Sequence, residues 1–416
     1  VFSYRVEEAA LSDLSVFQKT MPTQPPTPFT VPKEKAIVYE MHIASFTAEG
    51  TYAAAEEKLP YLQALGVTVL ELMPILLYPE TEGADVKSWG YGHKNLEEPG
   101  WYIRENQSAG NTKKRVGSLN AFRSFVAKAN SLGLVVGFDL VLNHFARGHT
   151  LNETWFHGRT AWGPRPDFAN NDFRRYVLKW VEWWIQQGIG YIRLGATHCI
   201  YAARGRLCNK AGSVSLEEDP SGASLLRELT QLAHDYNVTV VSEDASNYGE
   251  VPNDLVAPDH MNLDAFWGMS WRRSIVRELK KISSQRHVDI QNIGYACGMA
   301  QAAENHSSKW KQVIMTESHD ISSDQRSPKD RFLSELPNTD TGDKVALLGL
   351  GLVLTCPGIP MLFQGQEQNQ REPFALKIEE KGYQVAHLDG ESKSYKAARA
   401  LINLRKEHLG WGTAQY

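Results

Sequence analysis

From residue 36 to the end of the chain, short β-rich runs alternate with amphipathic helices, and this alternation most narrows the folds open to it. Eight runs read as strands: Ala36–His42, Val67–Met73, Leu134–Leu142, Tyr191–Leu194, Val238–Ser242, Asn262–Met269, Val313–Met315 and Pro360–Phe363. Between them, apolar residues at helical spacing predict helices over Tyr52–Leu65, Leu119–Leu132, Asp172–Gln187, Ser224–Tyr236, Lys344–Leu354 and Ser392–His408, with a basic helix after the sixth strand. Tyr52–Leu65 stops at Gly66, and the Asp172–Gln187 face carries Phe173, Val177, Trp180, Val181 and Trp184. An alternation of strands and helices is the signature of parallel βα units. An open doubly wound sheet would carry a glycine-rich nucleotide turn, and none is present. The expected fold is therefore an α/β (β/α)8 TIM barrel spanning 36–416. Long loops interrupt it after the second strand (76–116) and again after the third. Residues 1–35, which include TQPPTPFTVP, read as an extension leading into the first strand.

Length agrees, because 416 residues exceed one ordinary domain and suit a barrel with insertions. A hydrophobic content of 42% supports a large core, and a formal charge of −4 gives no electrostatic reason to expect nucleic acid or an anionic membrane as partner. No apolar run is long enough to span a bilayer. The chain opens at Val1 with no signal or transit peptide in view, which favours cytoplasm or an organelle without deciding between them. Sequons at Asn106, Asn152, Asn237 and Asn305 matter only in a secreted protein. Four cysteines without C-x-x-C spacing predict neither a zinc site nor a disulfide framework, and Cys199 and Cys356, in apolar runs, read as buried thiols. The eleven Trp and sixteen Tyr suit sugar stacking or core filling. Trp180, Trp183 and Trp184 are expected to pack, and the basic run Arg272–Lys281 to form a solvated helix face.

In a TIM barrel the polar residues just past the strand ends meet at the C-terminal rim. Here they are Asp139, Asn143 and His144 after the third strand, Arg193 and His198 around the fourth, Glu243 after the fifth, and His319 and Asp320 after the seventh. Acids and histidines recurring at successive strand ends suit acid–base work on a bound ligand. The same residues also fit a bland reading. Asp139, Asn143 and His144 suit a hydrogen-bonded strand-end cluster, Glu243 a partner for Arg193, and His198 a loop tether.

The order of these segments resembles the α-amylase superfamily, glycoside hydrolase family 13. DLVLNH (Asp139–His144) is similar to its first conserved segment, GYIRLGATHCI (Gly190–Ile200) to the nucleophile segment, VVSED to the general-acid segment and ESHD to the segment of the transition-state stabiliser. WGY at Trp89–Tyr91 resembles the stretch whose tyrosine stacks under the sugar. YEMHIASFT, TAWGPRPDF and LTCPGIPMLFQGQE point within the superfamily to glycogen or starch branching enzymes, with maltooligosyl-trehalose trehalohydrolases next. The resemblance implies Glu243 as general acid and Asp320 as stabiliser. It implies Tyr91, Asp139, Asn143, His144, Arg193, His198 and His319 as sugar-binding residues. It also implies an α-glucan (glycogen, starch or maltooligosaccharide) as ligand.

One position departs from the pattern: the nucleophilic aspartate is Gly195. Retaining glycosidases need a second carboxylate about 5–5.5 Å from the acid to form the covalent glycosyl-enzyme, and glycine supplies none. Gly92 and His93 after Tyr91, and ISSDQR after ESHD, depart as well, and neither the N-terminal sandwich nor the C-terminal β-domain of branching enzymes is expected. The leading expectation is a nucleophile-deficient pseudoenzyme that keeps an α-glucan-shaped cleft and serves as a glucan-binding or scaffold subunit, with protein partners in a complex. An α-glucan branching enzyme or hydrolase whose nucleophile was deliberately changed to glycine is the alternative, and a purely structural subunit a third. No cofactor or metal is expected. Many superfamily members hold calcium near the first segment, yet no dense carboxylate cluster lies there in this chain.

Overall fold

A computed structural model describes residues 30–78, 89–100, 111–202, 208, 219–244, 260–297, 311–320, 331–372 and 388–408. Residues 1–29 of the extension, 79–88 and 101–110 of the first insertion, and ISSDQR lie outside these.

Eight parallel strands close into a barrel: β1 (Val38–Met41), β2 (Val69–Leu72), β3 (Val135–Val141), β6 (Ile189–Gly195), β7 (Thr239–Ser242), β8 (Ala265–Trp267), β9 (Gln312–Ile314) and β10 (Ile359–Phe363). Each falls within or across one of the eight expected runs, and β1 pairs with both β2 and β10 to complete the circuit. The loop after β3 holds a small antiparallel hairpin, β4 (Phe156–Arg159) and β5 (Pro164–Pro166), which the proline-bearing sequence did not announce.

Eleven α-helices are described: α1 (Ile43–Phe46), α2 (Tyr52–Glu57), α3 (Leu59–Leu65), α4 (Asn111–Ser131), α5 (Asn171–Gln186), α6 (His198–Tyr201), α7 (Pro220–Asp235), α8 (Met269–Ser283), α9 (Ile290–Ala296), α10 (Asp340–Thr355) and α11 (Lys393–Glu407). The expected Tyr52–Leu65 helix is two helices. Pro60 has no N–H to continue the ladder, so α3 starts afresh after Lys58 and ends at Gly66, whose φ of 102° only glycine adopts without strain. Side chains at the N-terminal boundaries satisfy the first free amides of several helices. Asn170 accepts from Asp172 and Phe173, Asp219 from Gly222, Thr339 from Gly342 and Ser392 from Tyr395. Trp184 fills the core between barrel and helices, with Trp180 and Trp183 packed beside it. Arg273, Arg277 and Lys280 lie on the exposed face of α8, while Arg272 turns in to donate to the Thr316 carbonyl at 2.9 Å.

Two features of the cysteines overturn the sequence expectation. Cys199 pairs with Cys208, and Cys297 pairs with Cys356 across 59 residues, joining the end of α9 to the end of α10. Cys199 and Cys356 are buried, but as disulfides rather than thiols. Chain spacing carries no information about two helix ends that meet only in the folded barrel.

The barrel interior changes character along its axis. Alternate strand residues share a face, and Val38, Val69, Val135, Tyr191, Val241, Trp267 and Met361 pack together as an apolar inner layer. One step of two toward the C-terminal rim replaces Val38 by Glu40, Val69 by Glu71 and Tyr191 by Arg193, all buried. Glu40 sits opposite Glu71 and Asp139 opposite Arg193 in the strand register. Gly137 lets β3 and β6 come this close: a Cβ there would lie 2.5 Å from the Tyr191 carbonyl oxygen and 2.7 Å from its Cβ. Gly137→Ala is therefore expected to destabilise the fold by about 1–3 kcal/mol, read as a lowered urea midpoint with an unchanged slope.

Candidate active site

Arg193 is the centre of the rim. It donates to Asp139 across the β3–β6 pair, and its Nη2 lies 3.4 Å from Glu243 Oε2 and 3.7 Å from Asp320 Oδ2. Its guanidinium carbon lies 4.1 Å from the centroid of the Trp267 ring. One fixed cation thus gathers the carboxylates of three strand ends, in a pocket where an unpaired charge would be costly.

Glu243 follows β7 directly, and the N–H of Ala196 donates to its Oε2 at 2.6 Å. Further backbone bonds, Thr197 N–H to the Glu243 carbonyl (2.9 Å) and Glu243 N–H to the Leu194 carbonyl (2.8 Å), lock the two strand ends together. Ala196 has a φ of 44°, so the chain turns sharply out of β6 at the residue after position 195.

On the other side, His319 bonds Glu40 through Nδ1, lies 3.2 Å from Asp320 Oδ1 through Nε2, and donates its backbone N–H to Glu40 Oε2 at 3.0 Å. Burial alone would lower its pKa, but Asp320 and Glu40 outweigh that and raise it to about 10, so the ring is an imidazolium donating from both nitrogens. Against desolvation, His319 and Arg193 hold Asp320 down to about 2. Tyr91 stacks on His319 (centroids 4.7 Å apart, planes at 16°) and donates its hydroxyl to Asp139 Oδ2 at 2.5 Å. Burial and Asp139 keep that phenol protonated. Burial pushes Asp139 up to about 6 even beside Arg193.

Asn143 and His144 leave β3 together, His144 Nδ1 lying 2.7 Å from Asn143 Oδ1. Burial lowers His144 to about 4, with a hydrogen bond to the Tyr91 backbone opposing the shift, so the ring is neutral at pH 7. Asp139, Arg193, Glu243, His319, Asp320 and Tyr91 form one connected cluster, and Asn143 with His144 flanks it. His198 sits on α6, where its ring lies close to the sulfurs of Cys199 and Cys208.

Sequence reasoning missed four participants. Glu40 and Glu71 face the barrel interior, Trp267 covers Arg193, and half-exposed Trp162 of the β4–β5 turn leans on His144 (5.5 Å, 32°). A lone acid within an apolar strand, as in VYEM and VLEL, was the available signal for the first two. Burial first, then the like charge of Glu40, raises Glu71 to about 8 from an ordinary 4.5, with Arg193 opposing. A folded-state pKa above the unfolded one means that this group's stabilisation is complete below 4.5 and is lost as pH rises through 8. Glu71→Gln, which cannot ionise, is expected to remove that loss. Urea midpoints at about pH 5 and about pH 9 should fall less in the variant than in the wild type.

The model of the alpha amylase catalytic domain matches residues 150–400, more than half of the chain. Malto-oligosyltrehalose trehalohydrolase from Saccharolobus solfataricus is 26% identical over 382 residues, covering 83% of this chain and 59% of that protein. The 1,4-alpha-glucan branching enzyme of Bacillus caldolyticus is 23% identical, covering 82% and 49%. Both types of relative anticipated from the motifs are thus found, and the chain spans about half to three-fifths of their length. The crystal structure of an Anoxybacillus alpha-amylase superposes with a TM-score of 0.67 at 15% identity, covering 92% of this chain and 81% of that one. With the closed eight-stranded barrel, these matches make the chain a member of the alpha-amylase catalytic-domain family.

Proposed function

We propose that this barrel binds an α-glucan chain without performing the family's double displacement. The observation that carries the reading is the environment of Gly195. A Cβ built there would lie 3.3 Å from Arg193 Nη1, 3.5 Å from Asp139 Oδ1 and 3.6 Å from Val141 Cγ2. An aspartate at this position would therefore reach into the charged cluster, and glycine puts nothing there. Leaving-group protonation by Glu243 and cation stabilisation by Asp320 have their groups in place. Formation of a glycosyl-enzyme does not, because no carboxylate at residue 195 is available to attack the anomeric carbon.

Asp139 is the acid nearest the gap. Its Oδ2 is tied to both Arg193 and Tyr91, which fixes it in the floor of the cleft rather than beneath a bound sugar. The sugar-binding surface we assign is the Tyr91 ring with Asn143, His144 and His319 around it, a stacking platform edged by hydrogen-bonding groups. The ligand class follows from the relatives, whose names specify malto-oligosyltrehalose and 1,4-α-glucan.

The near-complete cluster favours a second reading, an α-glucan-active enzyme lacking only its nucleophile. In both, position 195 lacks the attacking carboxylate, and restoring it is the decisive experiment. Gly195→Asp sets a Cβ 3.3 Å from Arg193 Nη1, so the guanidinium must shift by a few tenths of an ångström within its ion pairs. The variant is expected to release reducing ends from maltoheptaose or to form branches, while the chain as it stands does neither. Calorimetry should show maltoheptaose binding to the unaltered chain, weakened by about 0.5–1.5 kcal/mol in Tyr91→Ala. Turnover by the unaltered chain, abolished in Asp139→Asn, would replace this reading with one in which Asp139 acts in the gap.

A further inference from the structure

We propose that His198, Cys199 and Cys208 form a redox-gated site for a thiolate-seeking divalent cation of the Zn2+ class, shut while the cysteines are a disulfide and opened when a dithiol reduces them. The proposal does not depend on the reading of Gly195.

Geometry brings the donors together. Cys199 and Cys208 have Cα atoms 4.9 Å apart, and one ligand atom from each of the three residues lies within 4.8 Å of the others. All three residues are buried. A tetrahedral Zn2+ with bonds of about 2.3 Å to sulfur and about 2.0–2.1 Å to nitrogen holds its ligand atoms somewhat closer than that. Small side-chain rotations close the difference once the S–S bond is gone. Among the described residues this is the one group of three such donors. Among the described residues the second disulfide, Cys297–Cys356, has no third donor beside it and reads as a plain staple.

The backbone beneath the site is fixed independently of the sulfur bond. Arg165 on β5 donates to the carbonyls of Cys199 (3.3 Å) and Ile200 (3.2 Å) and is itself paired with Asp219 at 2.8 Å. Reduction therefore leaves the segment bearing two of the three donors in place, which is the preorganisation a metal site needs.

The chemistry balances without further participants. A dithiol reductant attacks the Cys199–Cys208 bond by thiol–disulfide exchange, its own two thiols becoming a disulfide while the protein gains two S–H groups. The cation then displaces both thiol protons to solvent and is held by two thiolates and the imidazole, with one tetrahedral position left for water. His198 lies three residues beyond Gly195, so the ion would brace the chain where it leaves β6.

The test uses the full chain, reduced with dithiothreitol, desalted without oxygen and titrated with ZnCl2 against a chromophoric chelator. Bound metal is counted by elemental mass spectrometry. The expected result is one Zn2+ per chain when reduced and none when oxidised. Affinity should fall by about tenfold or more in Cys208→Ser and in His198→Ala, and be retained in the Cys297→Ser/Cys356→Ser double variant. If Cys208→Ser does not fold, Co2+ replaces it as the readout: thiolate-to-cobalt absorption in the reduced wild type, weakened in His198→Ala. Equal zinc uptake by reduced and oxidised chains, or uptake that follows Cys297 and Cys356 instead, would overturn the proposal.

Discussion

A buried guanidinium holding three carboxylates organises the catalytic end of this barrel. Arg193 cannot shed its charge, so the fold must surround it with acids, and the acids it draws come from β3, β7 and the segment after β9. Each of those side chains is positioned by the need to neutralise the same cation. The site's geometry is thus a consequence of burial as much as of chemistry. Trp267 covers the remaining face and keeps the ion pairs in a low-dielectric setting, where they are strong and their disruption costly.

The second charge, on His319, works similarly at the opposite wall. Glu40 beneath and Asp320 beside it hold the ring as an imidazolium, and the Tyr91 ring lies flat against it. Arg193 and His319 bracket the cleft, and acids outnumber them. Such a pocket favours a ligand that develops positive charge, which is the electrostatic demand of glycosyl transfer. That bias does not depend on position 195, since Asp139, Glu243 and Asp320 supply it.

Much of this was legible in the chain. All eight barrel strands fall on runs whose composition and spacing announced them, because a strand buried on both faces must be apolar over several residues. The rim residues were legible because a barrel sends strand ends to a single face, so Asp139, Arg193, Glu243 and Asp320 needed only the correct strand order to be brought together. What escaped is non-local. Cys297 meets Cys356 only after two helices dock, and Glu71 acquires its altered proton affinity only when folding buries it and sets Glu40 beside it across a strand pair. The β4–β5 hairpin rests on Pro164 and Pro166, residues that ordinarily argue against a strand.

The turn after Gly195 carries one more implication. Glu243 is oriented by the main-chain amide of Ala196, and the two strand ends are sewn together by backbone groups on either side. A peptide N–H is common to every residue but proline, so the posture of this acid is indifferent to which side chain the neighbouring position carries. A change of side chain at residue 195 would leave the mould around Glu243 undisturbed. A pocket built in this way keeps its acid in posture whether or not a carboxylate stands one residue before that amide.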